Sequence, residues 1–334
     1  MSEREIRFAR HDEADSIRRF LRTHWANDFS VAQSRSLFDF LYADDDRINV
    51  VVALDCDDIV GILGVSPYSR DNADAFLTLW RSIDTKFNTG IDLLKFAMAQ
   101  GFRSLSSVGT RKEVLVIYKM LGFRTGPMLQ HIRVNPTKKQ FRILVPGAHV
   151  PLPIRQAAPG TRLVEVSDFN ADFSGFARLD PPSPYKSRAY LEHRYFAHPV
   201  YRYRAFELWR DDAIENYFVT RTVDVDGATA LRIVDCLADD AGFVDFAAHL
   251  DQLLVAEGHE HVDFYNVNVD SALLSQAGYV ERSDIDGMIA PNYFEPFLQE
   301  NEQKFYVTTL AEPRLYKGDG DMDRPFRLTK EEPR

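Results

Sequence analysis

Cysteine is nearly missing from this chain: Cys56 and Cys236 are the only two among 334 residues. Both stand alone in apolar, strand-like surroundings. That pattern speaks against a disulfide framework or a cysteine zinc site and predicts two buried, reduced thiols. No apolar run approaches the roughly 18 residues of a membrane span, so no membrane partner is expected. The opening MSEREIRFARHDE has no apolar leader, so secretion by a cleaved signal is not expected and the cytoplasm is the expected compartment. Positive charge is also in deficit. The net charge is −10, and basic residues concentrate only at 138–142 and 188–204, which disfavours nucleic acid as a partner. HExxH, paired Cys/His and GxSxG patterns are absent, leaving metallohydrolase and serine-hydrolase chemistry without support. Asp319–Asp323 (DGDMD) has the acid spacing that opens a calcium loop. Arg324 and Lys330, however, stand where that loop needs a glycine and a glutamate, so a solvated turn is expected and no metal.

What is present is a 45% hydrophobic chain, long enough for two domains of ordinary size. Its organising stretch is Ala75–Phe123. A strand over Phe76–Arg81 feeds a polar loop, a helix follows over Ile91–Gln100, then a strand over Leu105–Val108 and a helix over Lys112–Leu121 that Gly122 stops. A strand whose loop opens a helix can aim backbone N–H groups at phosphate; an ordinary packing unit has the same pattern. Before it, a strand at Ile6–Arg10 leads to a helix capped at Asp15 or Ser16, a second helix spans Val31–Tyr42, and a hairpin turns at Asp57-Asp58. Gln130–Val134 reads as the closing strand of this first unit. The prolines of 136–160 mark a connector. The second half then repeats the first. The Asp57-Asp58 turn recurs as Asp211-Asp212, and LTLWRSI (Leu77–Ile83) recurs as LRIVDCL (Leu231–Leu237), each 154 residues on. The organisation expected is a first domain over 1–135, the connector over 136–160, a second domain over 161–310 and a charged, partly mobile tail over 311–334.

The order of elements, and above all IYKMLGF with Tyr118 four residues before Gly122, resembles the GCN5-related acetyltransferase family. The first unit looks like a whole domain of that family and residues 161–310 like a divergent copy. The chain also looks like tandem members associated with surface polysaccharide synthesis, through YLEHRYFAHPVYRYRAF, FEPFLQENEQKF and YKGDGDMDRPF. The resemblance implies an α/β (α+β) class, with two tandem domains that each have a mixed, splayed central sheet flanked by helices. It also implies acyl transfer from acetyl-CoA or another acyl-CoA to an amine, here that of an amino sugar, nucleotide-linked. A homodimer stays open. In such an enzyme the donor lies along the strand ending at Trp80, Arg81 and Ser82, and its diphosphate meets Lys86, Asn88, Thr89 and Gly90. Tyr118 is then the acid for the leaving thiolate. The loop departs from the family pattern: Phe87 and Asp92 stand where an amide or basic residue and a small residue are usual, and a carboxylate in a first helical turn repels diphosphate. In the second copy Leu274 stands at the tyrosine position and the loop is acidic, which reads as a structural or substrate-shaping copy. His198 and Asp84 are the candidate proton acceptors, and Arg194, Tyr201 and Tyr203 the candidate substrate contacts. An aminoacyl-tRNA-dependent transferase and a degenerate sugar- or peptide-binding pair are the alternatives.

Overall fold

The computed structural model describes residues 5–68, 73–83, 88–169, 184–237 and 239–328. Asp84 and Lys86 lie outside them. The first half contains β1 (Glu5–Ala9), α1 (Ala14–His24), α2 (Ser30–Gln33), α3 (Arg35–Tyr42), β2 (Ile48–Asp55), β3 (Asp58–Pro67), β4 (Asp74–Ser82), α4 (Thr89–Met98), β5 (Ser104–Thr110), α5 (Leu115–Met120), β6 (Arg124–Pro127) and β7 (Leu129–Val134). The second contains β8 (Thr161–Val166), α6 (Arg188–Leu191), β9 (Tyr203–Arg210), β10 (Ala213–Val225), β11 (Ala228–Leu237), α7 (Gly242–Glu257), β12 (His261–Val267), α8 (Ser271–Gln276), β13 (Val280–Glu281), β14 (Phe305–Thr308) and β15 (Leu315–Tyr316). The internal repeat survives as structure: hairpin, strand, helix, strand and short helix recur in the same order.

Local departures from expectation have local causes. The single helix foreseen over Val31–Tyr42 breaks at Ser34, whose hydroxyl accepts from the Leu37 amide and so caps α3. The first helix starts at Ala14, after a 3-10 turn, and its N-cap is Glu13 and not Asp15 or Ser16. Cys236 is buried as expected, but Cys56 sits exposed in the hairpin turn at φ 56°.

Two mixed sheets form the frame, in the orders β1-β2-β3-β4-β5-β14-β6 and β13-β7-β12-β11-β10-β9-β8. Each sheet takes one strand from the other half. β7, expected to close the first unit, pairs antiparallel with β12 of the second sheet, while β14 slots between β5 and β6 of the first. A boundary at 135 therefore cuts a sheet: Ile132 packs with Leu144, Met288 and Ala290. Separate cores lie under each sheet. Val51, Leu63, Leu94 and Tyr118 belong to one, and Phe218, Phe246, Leu250 and Phe264 to another.

The tail corrects expectation most. Arg314–Asp323 is interior, with Asp319 and Asp323 at 0% and 1% exposure. β15 pairs with the end of β12. The chain then crosses to the first half, where Gly320 lies against Phe76, Met322 against Gly109, and Phe326 against Phe29. Charge there signals pairing and not solvation. The Asp319 carboxylate meets the Lys186 ammonium at 2.7 Å and accepts from the Tyr68 hydroxyl at 2.8 Å. Asp323 receives two N–H groups of Arg221 at 2.9 and 3.0 Å. Asp319 and Asp323 are thus bound to Lys186 and Arg221 of the second half, and Asp321 to Arg324 of the tail itself, rather than forming a solvated turn.

Candidate active site

β4 and β5 run parallel and pair only at their start, Asp74–Phe76 with Ser104–Ser106. Beyond that they part. β4 also carries a bulge: Ile62 faces Arg81 and Gly64 faces Thr78, so Leu79 and Trp80 share the span of Leu63 alone. Leu79 there adopts φ 43°. A bulge takes a residue out of the ladder and re-aims its backbone, and a leucine held in left-handed backbone is strain of the kind that gathers at functional positions.

A cavity of about 510 Å³ opens in the gap. Its walls come from β4 (Leu77–Arg81), β5 (Ser107–Thr110), Tyr118 on α5, and the second half and tail through Tyr201, Arg221, Arg232, Lys304, Lys317 and Asp323. Gly109, at φ 73°, lets β5 pass under Met322, where a Cβ would come within 3.0 Å of the methionine side chain.

Tyr118 is 2% exposed and edge-on to both Trp80 and Phe123, with centroids 5.3 and 5.2 Å away. Burial pushes its phenol above the ordinary value, so it keeps its proton through the neutral range. Trp80 lines the cavity and ties β4 to the mouth of α4, its indole N–H donating to the Gly90 carbonyl at 3.0 Å. A side chain at Gly90 would meet the Trp80 ring and the Ser82 hydroxyl at 3.2–3.3 Å. Asn88 is the N-cap of α4 but makes no side-chain cap bond; Thr89 is fully buried, and Asp92 stands in the first turn. Arg81 lines the cavity and is exposed. Trp80, Arg81 and Tyr118 thus line the cavity and Gly90 and Ser82 lie beside Trp80, while Asn88 and Thr89 start α4 and are not among the residues of the cavity wall.

The other predicted residues divide. Tyr201 lines the cavity; its hydroxyl donates to Glu295 at 2.8 Å, and the Arg221 guanidinium lies 3.8 Å over its ring. Tyr203 and Arg194 sit behind that wall. The Tyr203 hydroxyl bonds to Asp323 at 3.0 Å and Arg194 donates to the Asp323 carbonyl at 2.9 Å. His198 is buried between Phe40 and Tyr201, and its Nδ1 accepts the amides of Val200 and Tyr201 at 3.1 and 2.9 Å. Burial and then Arg194 lower its pKa to about 3. That lone pair is committed to a turn, so His198 is an interior acceptor and not a base for substrate. Sequence reasoning missed Arg221, Arg232, Lys304 and Lys317. Only the arginines in otherwise apolar strands, Arg221 and Arg232, carried a visible sign.

The second half has the same frame with its cleft filled. β11 and β12 pair over Leu231–Ile233 and Val262–Phe264, and β11 bulges at Val234. The tail occupies this gap: β15 adds to β12 and the Gly318 amide donates to the Val234 carbonyl. Leu274, at the tyrosine position, is wholly buried.

No family model matches the sequence, and no curated protein matches it. Solved structures do match. A GCN5-related N-acetyltransferase from Anabaena variabilis ATCC 29413 aligns over 92% of this chain and 73% of its own at 11% identity, with a TM-score of 0.59. A conserved protein of unknown function from Enterococcus faecalis V583, described as a probable N-acyltransferase, aligns over 92% and 72% at 9% identity, with a TM-score of 0.55. The chain thus has the GCN5-related acetyltransferase fold: mixed α/β, with two mixed sheets flanked by helices.

Proposed function

We propose that this protein is an N-acyltransferase with one working site, between β4 and β5, and that the second half serves as its wall. The observation that carries this reading is the meeting of the β4 bulge, the strand splay and Tyr118 on one cavity. An acyl-CoA thioester lying along β4 would set its carbonyl against the re-aimed backbone of Leu79 and Trp80, a donor position for the oxygen as it gains charge. The amine of the acceptor, as free base, attacks the carbonyl carbon. The C–N bond forms, the C–S bond breaks, the Tyr118 hydroxyl gives its proton to the departing thiolate, and the proton shed by the new amide nitrogen restores the phenol. No nucleophilic side chain is required.

The diphosphate of CoA fits the start of α4 in part. The N-cap makes no side-chain bond there, which favours an anion, while the Asp92 carboxylate opposes it. For the acceptor, a nucleotide-linked amino sugar of surface-glycan synthesis is the class we favour. The cavity volume suits a drug-sized ligand, and Tyr201 with Arg221 stacked on it brings an aromatic side chain and a cation to one wall. The test is thiol release from acetyl-CoA with a panel of amines, amino sugars and their nucleotides included. Tyr118→Phe should lower turnover by about 10²-fold or more while leaving acetyl-CoA's thermal protection intact. Equal turnover in the variant would remove Tyr118 from the chemistry.

A further inference from the structure

Seven arginines and lysines line the cavity against four carboxylates, in a chain whose net charge is −10. Most of the interior cations are neutralised locally. Arg221 pairs with Asp323, Arg232 with Asp263 at 2.8 Å, Lys304 with Glu302 at 2.7 Å, and Arg324 with Asp321 at 3.3 Å. Lys317 differs. It is 3% exposed, and its Nζ donates to a neutral acceptor, the Asn292 side-chain oxygen, at 2.6 Å. Its ammonium lies 5.2 Å over the Tyr265 ring. An ammonium has three N–H groups, and a buried cation without an anion is costly.

Accepting the cavity as the acceptor site of the proposed transferase, we infer that Lys317 is the seat of an acidic group on the acceptor, a carboxylate or a phosphate, and that uncharged amines are poor ligands. Three observations converge on this. The wall is cationic where the molecule is acidic. Among the described interior cations that line the cavity, Lys317 alone has no carboxylate within ion-pair distance. Arg232 and Arg221, both lining it, flank that position, with their own acids already engaged on them. Burial, and then the neighbouring Arg232, hold the Lys317 pKa well below its ordinary range, although Asp323 and Asp263 act through space in the other direction; an anion in direct contact would offset the cost of its charge. Tyr118 and the β4 bulge belong to another wall of the same cavity, so an acceptor held by its acid at Lys317 can present its amine toward them.

Trp25 and Trp80 line the cavity and give a fluorescence readout that needs neither acyl-CoA nor turnover. Two probe pairs are titrated: glucosamine 6-phosphate against glucosamine, and 4-aminobutyrate against its amide. At least one acidic probe should bind about tenfold or more tighter than its uncharged partner, the scale of a hydrogen bond to a charged group, and which pair responds tells phosphate from carboxylate. Lys317→Gln, which keeps an N–H for Asn292, should reduce that preference to within about threefold. Equal binding within both pairs overturns the inference. So does a preference that survives in Lys317→Gln, or no binding of either acidic probe at about 10 mM. The wild-type comparison stands even where the variant fails to fold. Acid-selective binding without thiol release would sink the reaction and leave the anion site standing.

Discussion

His198 shows how a residue type can suggest a role that its surroundings do not fit. A histidine beside tyrosines and arginines looks like a proton acceptor, but its Nδ1 is spent on two amides and its ring is packed between Phe40 and Tyr201. His198→Ala should therefore destabilise the fold by about 1–3 kcal/mol, the cost of amides left without an acceptor, with kcat of the surviving folded enzyme unchanged. Urea unfolding and turnover measured on one preparation check it, and a large fall in kcat at unchanged stability would contradict it. Tyr118, by contrast, lines the cavity. Its spacing before Gly122 was visible in the chain, and so was its place at the end of a short helix. The cations across the cavity, Arg221, Arg232 and Lys317, were not, because they arrive from strands and a tail 100 or more residues away.

The tail beyond β14 carries the same lesson for an element. Acids at alternate positions with no apolar period look solvated in a linear reading. Asp319 and Asp323 are instead buried because Lys186 and Arg221 wait for them. Burial alone pushes the Asp323 carboxyl up, but Arg221, with Lys317 and Arg232, more than offsets this and holds it below the carboxylate range. Asp323→Ala leaves that guanidinium cluster uncompensated and should cost about 3–5 kcal/mol, read as a drop in the urea midpoint; a loss below about 1 kcal/mol would place the pair among weak surface bridges. The repeated hairpins and the helices between the strands were legible from period and spacing; the splay of the strands was legible only through the family resemblance. The exchange of β7 and β14 between sheets was not, because a strand's alternation says which face is buried and not which neighbour it pairs with.

Across the whole molecule, that exchange joins two halves into one frame in which the second lines the cavity with charge and the first, in the proposed function, carries the chemistry. It also buries histidines with no compensating acid strong enough to keep them charged. Burial lowers His131 to about 4, His198 to about 3 and His261 to about 4. Below the ordinary value near 6.5 the unfolded chain binds protons that these rings refuse, so stability is full above that value and falls as pH drops toward 4. The slope is about 1.4 kcal/mol per pH unit for each ring. Urea midpoints at about pH 7 and pH 5 should differ accordingly, and equal midpoints would contradict the burial of these three side chains. The proposed function requires that only the cleft between β4 and β5 receive an acyl-CoA, since the tail fills its counterpart. Isothermal titration with acetyl-CoA measures that directly. One molecule bound per chain is the predicted result; two per chain, or none, would contradict it.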